Sequence, residues 1–470
     1  MSRKHFTLCE AAAAIRSGAV CSTELVEDAL AAADRWDDPL GIYVTRTDDL
    51  ALAAAERADR ELAAGHDRGP LHGIPFGVKD LIAVAGVPTT AQSLVRQRER
   101  APERHAEVVE RLLAAGAVIT GKTTTTEFGC GLPDPAKPFP VPRNPWDPRR
   151  WAGGSSSGSA AGVAAGVFSA GLGTDTAGSI RVPAAFCGVT GLAPTFGLVP
   201  TNGCVPLGYS LDRVGPLAHG ARDCAAVLDV LAGVDPDTFR PPDPDTGLAG
   251  LRIGVVREHH LPSTADPALP AVFERAVAVL AELGAAVTEV VLPFWIEAVT
   301  ATMVVASVEG LAQHRIDLAG HWEDYTSAAR SLLANGAMVS GADYVQAQRV
   351  RSRVHDAVTE LFTTVDVVVS PTAAAAAPLL AALTDESGHQ DNDAAYGAAF
   401  TPYWNCVANP VLSMPMGHNA AGLPLAMQIA APCFADATAL RVAAAFQDHT
   451  EWHRPRALGS PFPTSSEARA

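Results

Sequence analysis

Apolar and polar positions change period along the chain. In EAAAAIRSG, ELVEDALAAADRW and DDLALAAAERADRELAAG the apolar residues recur at helical spacing, which predicts three helices before Gly65, with Ser22 and Thr23 capping the second. PLHGIPFGVKDLIAV is instead a short apolar run rich in Gly and Pro, predicting a strand entered through a tight turn. PERHAEVVERLLAAG predicts a further helix leading into the strand AVIT. After Asp212 the order strand, helix, strand recurs in LRIGVV, PALPAVFERAVAVLAELG and AAVTEVVLP, and VDVVVSPT is another buried strand. Strands alternating with helices at this spacing predict an α/β protein, helices covering both faces of its sheet. No internal repeat is visible. DPDTFRPPDPDTG (235–247) is the one candidate hinge, and it fits a surface loop within a single domain equally well.

Composition narrows the picture. The chain has 470 residues, 48% hydrophobic and 18% charged, which is globular rather than disordered composition. Its 35 basic and 51 acidic residues give −16, a poor match for nucleic acid or an anionic membrane, so neither is an expected partner. Eight scattered cysteines form no C-x-x-C pair or metal-ligand spacing and are expected to be buried reduced thiols. With no cleavable signal pattern at the N-terminus, a cytoplasmic protein is expected. The stretch from Trp151 to Thr174 lacks charge but is too rich in Ser and Gly for a membrane span, and is expected to pack inside the core.

Three motifs compete for the chemistry. GAVITGKT (116–123) fits the phosphate-loop pattern, but its middle residues are strand formers and a helix precedes them, which reverses the required order. A buried strand ending in a Gly-Lys turn is expected instead. GSSSG (154–158) fits the nucleophile elbow with Ser156 at its apex, yet proline-rich VPRNPWDPRRWA feeds it where a buried strand is needed. The third involves lysine. Only Lys4, Lys79, Lys122 and Lys137 occur, and none has a serine three residues before it, which excludes the S-x-x-K mechanism. Lys79 lies in apolar GIPFGVKD, where burial favours the neutral amine that can act as base for a serine; an ion pair with adjacent Asp80 is the competing reading.

Taken together, HGIPFGVKD, NPWDPRRWAGGSSSGSAAGVAAG and GLGTDTAGSIRVPAAFCGVTGLAPT resemble the amidase signature family of Ser–Ser–Lys hydrolases, densely over about 71–216 and more thinly in VVVSPT, ANPVLSMPMG and GLPLAMQIA. The resemblance implies Ser179 as nucleophile, Ser155 as the bridging serine on a cis peptide, and Lys79 as base. It implies an oxyanion hole from the amides of Thr176, Ala177, Gly178 and Ser179, with Ser156, Asp175 and Arg181 in support. His72 matches a position with no catalytic role and is expected to be a packed turn residue. The implied fold is one large α/β/α layered domain over 1–470 with a mixed central sheet: a signature core at about 71–216, a variable substrate entrance at about 230–400, and a C-terminal return at about 401–450.

The implied activity is hydrolysis of a carbon–nitrogen bond in a small, uncharged amide, an aryl amide and a carbamate both included, without cofactor or metal. A homodimer is the oligomeric state the family implies. The alternative is the glutamine-hydrolysing subunit of a transfer-RNA amidotransferase. Departures from the family pattern bear on that choice. Ala177 replaces a usual glycine, Gln92 stands where glycine is usual, and Ala193 and Leu198 replace common Lys and Arg, which weakens the amidotransferase reading. A scaffold with a dead site is disfavoured because Lys79, Ser155 and Ser179 are all present. Pocket walls are expected from residues 120–145 and 295–400, including WIEAVTATMVVASVEGLAQH as a helix at the entrance.

Overall fold

In VDVVVSPT, Val367 and Val369 point into one hydrophobic core and Val368 into another, as the two-residue period of a strand buried on both faces requires. That alternation defines the architecture seen in the computed structural model, which describes residues 6–96, 100–384, 396 and 398–455. The strands are β1 (Tyr43–Arg46), β2 (Pro75–Lys79), β3 (Val118–Thr123), β4 (Arg143–Asn144), β5 (Asp147–Trp151), β6 (Ala170–Asp175) and β7 (Thr190–Ala193). They continue with β8 (Arg213–Ala218), β9 (Arg252–Val255), β10 (Ala286–Glu289), β11 (Val367–Pro371), β12 (Val411–His418) and β13 (Pro424–Ala430). All but β4 and β5 join one 11-stranded sheet in the order β1-β3-β2-β6-β8-β7-β12-β13-β11-β9-β10. It is mixed: β2 runs parallel to β3 and β6, and β9 to β10 and β11, whereas the ladder from β6 through β8, β7, β12 and β13 to β11 is antiparallel.

Helices pack on both faces. The helices Ala221–Ala232, Leu269–Glu282 and Asp436–Asp448 bury their apolar sides with Phe76, Val78, Leu172, Leu412 and Met414 of the sheet. The helix Ser157–Ala164 covers the other face, together with Leu217 and Phe168. The α/β expectation holds, and the predicted strands and helices form with shifted ends.

Some expectations are corrected. Ser22 and Thr23 do not cap their helix. Cys21 is the N-cap, its Sγ accepting from Glu24 N, while Thr23 Oγ1 donates to Asp59 Oδ2 (2.6 Å) and Ser22 Oγ to the Gly73 carbonyl (2.8 Å). Gly121 and Lys122 form no turn, because β3 runs straight through them. AAVTEVVLP gives only the short edge strand β10, exposed along its length.

The uncharged stretch from Trp151 forms a buried helix and β6. Among the described residues one helix, Trp295–His321, is long and apolar enough to cross a membrane by length and composition alone; it buries Ala298, Ala301, Val305 and Ala306 against the protein. The 235–247 segment is irregular apart from one short 3₁₀ turn, and strands on both sides of it share the one sheet. Residues 385–395 and 397, within the expected entrance region, lie outside the described residues.

Candidate functional site

The site lies at the carboxyl ends of β2 and β6, adjacent parallel strands in register Phe76↔Ala170 to Val78↔Leu172. Phe76 and Val78 turn into one core, so alternation sends Lys79 to the face covered by the helix Ser157–Ala164. Lys79 is completely buried there. Its Nζ lies 2.7 Å from Ser155 Oγ, 2.8 Å from Thr174 Oγ1, 3.1 Å from Ser156 Oγ and 3.4 Å from the Thr174 carbonyl. No carboxylate touches it among the described residues. Burial lowers its pKa to about 7 even though Asp175, Asp212 and Cys204 pull the other way.

Ser155 follows a cis peptide from Gly154, as the family resemblance implies. Ser156 braces the amine, donating to the Thr174 carbonyl (3.1 Å) and accepting from Thr174 N (3.2 Å). Gly173 makes room for it, since a Cβ there would come 2.6 Å from Ser156 Oγ. The backbone N–H of Ser156 donates to the Ser179 carbonyl (3.0 Å), which brings the second serine segment against the first. Ser179 itself is half-buried.

Asp175 organises the loop that carries Ser179. Arg181 holds it through two nitrogens, each 3.0 Å from a carboxylate oxygen, and Asn405 Nδ2 adds a third contact at 2.8 Å. Burial alone would raise the Asp175 carboxyl, but Arg181, Asn405 and Arg213 keep it well below the usual range. Arg181 also donates to the Thr401 carbonyl and to Asn405 Oδ1.

The same carboxylate accepts from Gly178 N (2.8 Å) and Ile180 N (3.1 Å). Gly178 therefore needs correcting among the expected oxyanion donors, because its N–H is already directed at Asp175. Among the described residues, the N–H groups of Thr176, Ala177 and Ser179 carry no such bond. Ala177 is not at positive φ, so its replacement of glycine keeps both backbone and donor. Gly178 has φ +129°, and a Cβ there would overlap Thr401 Oγ1, which itself donates to the Ala177 carbonyl (2.7 Å).

The walls come from segments with no motif of their own. Gly129 faces Ser155, a Cβ there falling 3.5 Å from Ser155 Oγ and 3.0 Å from Leu81. Leu81, Gly129, Thr174, Thr176, Leu207 and Asp212 line a cavity of about 40 Å³. The helix Trp295–His321, expected at the entrance, contributes no residue to this lining; it packs behind it, where Glu309 accepts from Ser210 N (2.9 Å) and Oγ (2.7 Å) in the loop before β8. Thr174, Thr401, Asn405 and Asp212 were not singled out from the sequence; a hydroxyl or amide in an apolar run is no signal until the fold closes.

The remaining candidates resolve plainly. Lys122 is buried in β3 and paired with Asp80 (2.9 Å), which leaves no phosphate-binding lysine. His72 is a packed residue, its Nε2 3.1 Å from Glu61 Oε2. Among the described residues no cluster of His, Cys, Asp or Glu could hold a metal ion.

A buried lysine whose pKa is lowered to about 7, two serines and a carboxylate-anchored loop thus meet at one place in the fold. Comparison with known proteins places the chain in a family. The Amidase family model matches residues 24–440, and the chain belongs to the amidase signature family. A glutamyl-tRNA(Gln) amidotransferase subunit of Chloroflexus aurantiacus is 38% identical over 96% of this chain and 98% of its own length. An amidase of Pseudomonas putida is 36% identical over 98% of this chain and 99% of its own. The crystal structure of the native peptide amidase of Stenotrophomonas maltophilia superposes with a TM-score of 0.82 at 30% identity, covering 97% of this chain and 99% of that one.

Proposed function

We propose that the protein is an amidase that hydrolyses the C–N bond of a small uncharged amide or carbamate through an acyl-enzyme on Ser179. The observation that carries this reading is Lys79, fully buried and held by hydroxyls and a carbonyl rather than a carboxylate. In its neutral form it accepts a proton from Ser155, which in turn takes the proton of Ser179 as Ser179 Oγ bonds to the substrate carbonyl carbon. The oxyanion that forms meets the N–H groups of Thr176, Ala177 and Ser179. The C–N bond then breaks, the proton returns along the same relay to the departing nitrogen, and water releases the acyl group by the same route.

An uncharged substrate is supported by the adjoining cavity. Leu81, Val205, Pro206 and Leu207 face it, while its charged residues are occupied. Asp212 accepts from Thr176, and Arg213 donates to the carbonyls of Asn409, Trp404 and Val407. Unpaired cysteines fit a cytoplasmic setting, and we take one domain and a homodimer as the working description.

A second reading has its own support, the 38% identity to a glutamyl-tRNA(Gln) amidotransferase component over nearly the whole chain. There the amide would be glutamine, the product ammonia, and partner chains would be needed. Both readings share Ser179 chemistry, so one experiment separates them. The purified chain alone is given p-nitroanilides, aryl carbamates and glutamine, with Ser179→Ala in parallel. Nitroaniline or phenol release by wild type only supports the free-standing amidase. Ammonia from glutamine with no anilide turnover supports the amidotransferase reading. Equal activity in Ser179→Ala sinks both.

A further inference from the structure

Asp212 stands just before β8, outside the Lys79–Ser155–Ser179 relay, yet it is tied to both halves of the site. Its Oδ1 accepts from Thr176 Oγ1 at 2.5 Å, so it grips the first residue of the loop leading to Ser179. Its other contacts are Leu207 N (2.9 Å, to Oδ2) and Gly208 N (3.2 Å, to Oδ1), which fix the carboxylate to the cavity wall. Thr174 and Thr176 line the same cavity, and Thr174 Oγ1 is a direct partner of Lys79. The lysine's hydroxyl partner and Asp212 therefore line one small space.

We propose that Asp212 is a positioning residue of this hydrolase: it anchors the 176–179 loop through Thr176 Oγ1, and across the cavity its carboxylate sets the pH at which Lys79 gives up its proton. This goes beyond the proposed function and rests on its reading of Ser179 as nucleophile. The charged and titratable groups facing Lys79 are Asp175, Asp212 and Cys204. Asp175 is committed to Arg181 and Asn405, and burial pushes the Cys204 thiol up to about 12, leaving it neutral; Lys122 faces Cys204 but is paired with Asp80. That leaves Asp212 as the one of these carboxylates without a cationic contact among the described residues. Burial raises it to about 6, against its hydrogen bonds and Lys79, so its carboxylate is ionised above that pH. A negative charge there favours protonated Lys79 and holds the acid limb of the reaction at higher pH.

The experiment follows the rate of Ser179 acylation by a fluorophosphonate probe from pH 5 to 9. Wild type should show an acid limb near 7. In Asp212→Asn the limb should move to lower pH by about one unit, and the plateau should fall about 10-fold because a weaker base faces a looser loop. A role confined to structure would lower the plateau and leave the limb in place, which overturns the charge half of the proposal. Thr176→Val, which keeps the carboxylate but not its contact, should lower the plateau, while Thr176→Ser should stay within about threefold of wild type by keeping the hydroxyl. Thr176→Val behaving as wild type overturns the anchoring half, and serves as the test should Asp212→Asn not fold. Absence of Ser179 labelling in wild type overturns the functional reading and this inference with it. Labelling with unchanged variants overturns the inference alone.

Discussion

Asp80 pairs with Lys122 on the neighbouring strand, and not with Lys79 beside it in sequence. Lys122 Nζ lies 2.9 Å from Asp80 Oδ1 and 2.8 Å from Thr89 Oγ1, and Thr90 donates to Asp80 through both its N–H (3.0 Å) and its hydroxyl (2.5 Å). Adjacent residues leaving a strand point to opposite sides, so the carboxylate that would hold Lys79 charged is turned away and satisfied elsewhere. One lysine thereby becomes structural and the other is left to titrate.

Lys79 should therefore be needed for activity and costly for stability. Replacing it in Lys79→Met should reduce Ser179 acylation by about 10²–10⁴-fold, the range for loss of a general base. The stability effect carries a sign. The folded pKa is about 7 and the ordinary value 10.5, so between these the unfolded chain binds the extra proton and stability rises with pH. The cost of burying Lys79 is thus full below about pH 7 and relieved towards 10.5. Urea midpoints should place Lys79→Met above wild type near pH 7, the gap closing as pH rises. A gap that widens with pH would refute the assignment.

The buried pair on the other side predicts the reverse. Asp80→Asn leaves the Lys122 ammonium without its charge partner in a site with no solvent, which should lower unfolding free energy by about 3–5 kcal/mol. Adding Lys122→Met should recover most of that loss, since the uncompensated charge is what destabilises. Urea unfolding of the single and double variants checks this, and a double variant no better than Asp80→Asn counts against it.

Much of this was legible in the sequence, and the rest had physical reasons for hiding. Lys79, Ser155 and Ser179 stand in ordered motifs, and burial of Lys79 followed from the apolar run around it. Period alone could not place β10 at the sheet edge, because an edge strand and a buried one share the same alternation. Nor could it locate the ends of β3, since Gly121 and Lys122 look like a turn until Asp80 closes on the lysine. Asn405 reaches Asp175 across 230 residues, and Thr401 reaches Ala177 across 224, so their place in the site depends on the strand order.

The loop at 177–178 should respond in opposite ways at its two residues. Gly178→Ala places a methyl group on Thr401 at a left-handed φ, so the loop must shift and Asp175 loses its N–H contact. Acylation of Ser179 should fall by about 10²-fold or more, comparable to loss of an oxyanion donor. Ala177→Gly removes only a methyl from a residue without positive φ and should stay within about twofold. Stopped-flow acylation with an activated ester measures both, and equal losses would show that the loop is not held as described.

Gln92 stands at φ +49°, a position where glycine would relieve strain of about 1–2 kcal/mol. Its side chain, however, supplies what glycine cannot. Oε1 accepts from the buried Thr125 N–H at 2.6 Å and Nε2 donates to the Pro140 carbonyl at 3.2 Å. Stranding a buried N–H costs about 1–3 kcal/mol, the second bond adds about 1, and glycine's freedom in the unfolded chain adds about 0.5–1. The losses exceed the gain, so Gln92→Gly should be less stable by about 0.5–4 kcal/mol. Thr125 leads into the segment ending at Gly129, which faces Ser155, so substrate KM should rise with the loss of stability. A Gln92→Gly variant as stable as wild type, with unchanged KM, would mean that Thr125 N–H finds another acceptor and that Gln92 does not shape the wall of the site.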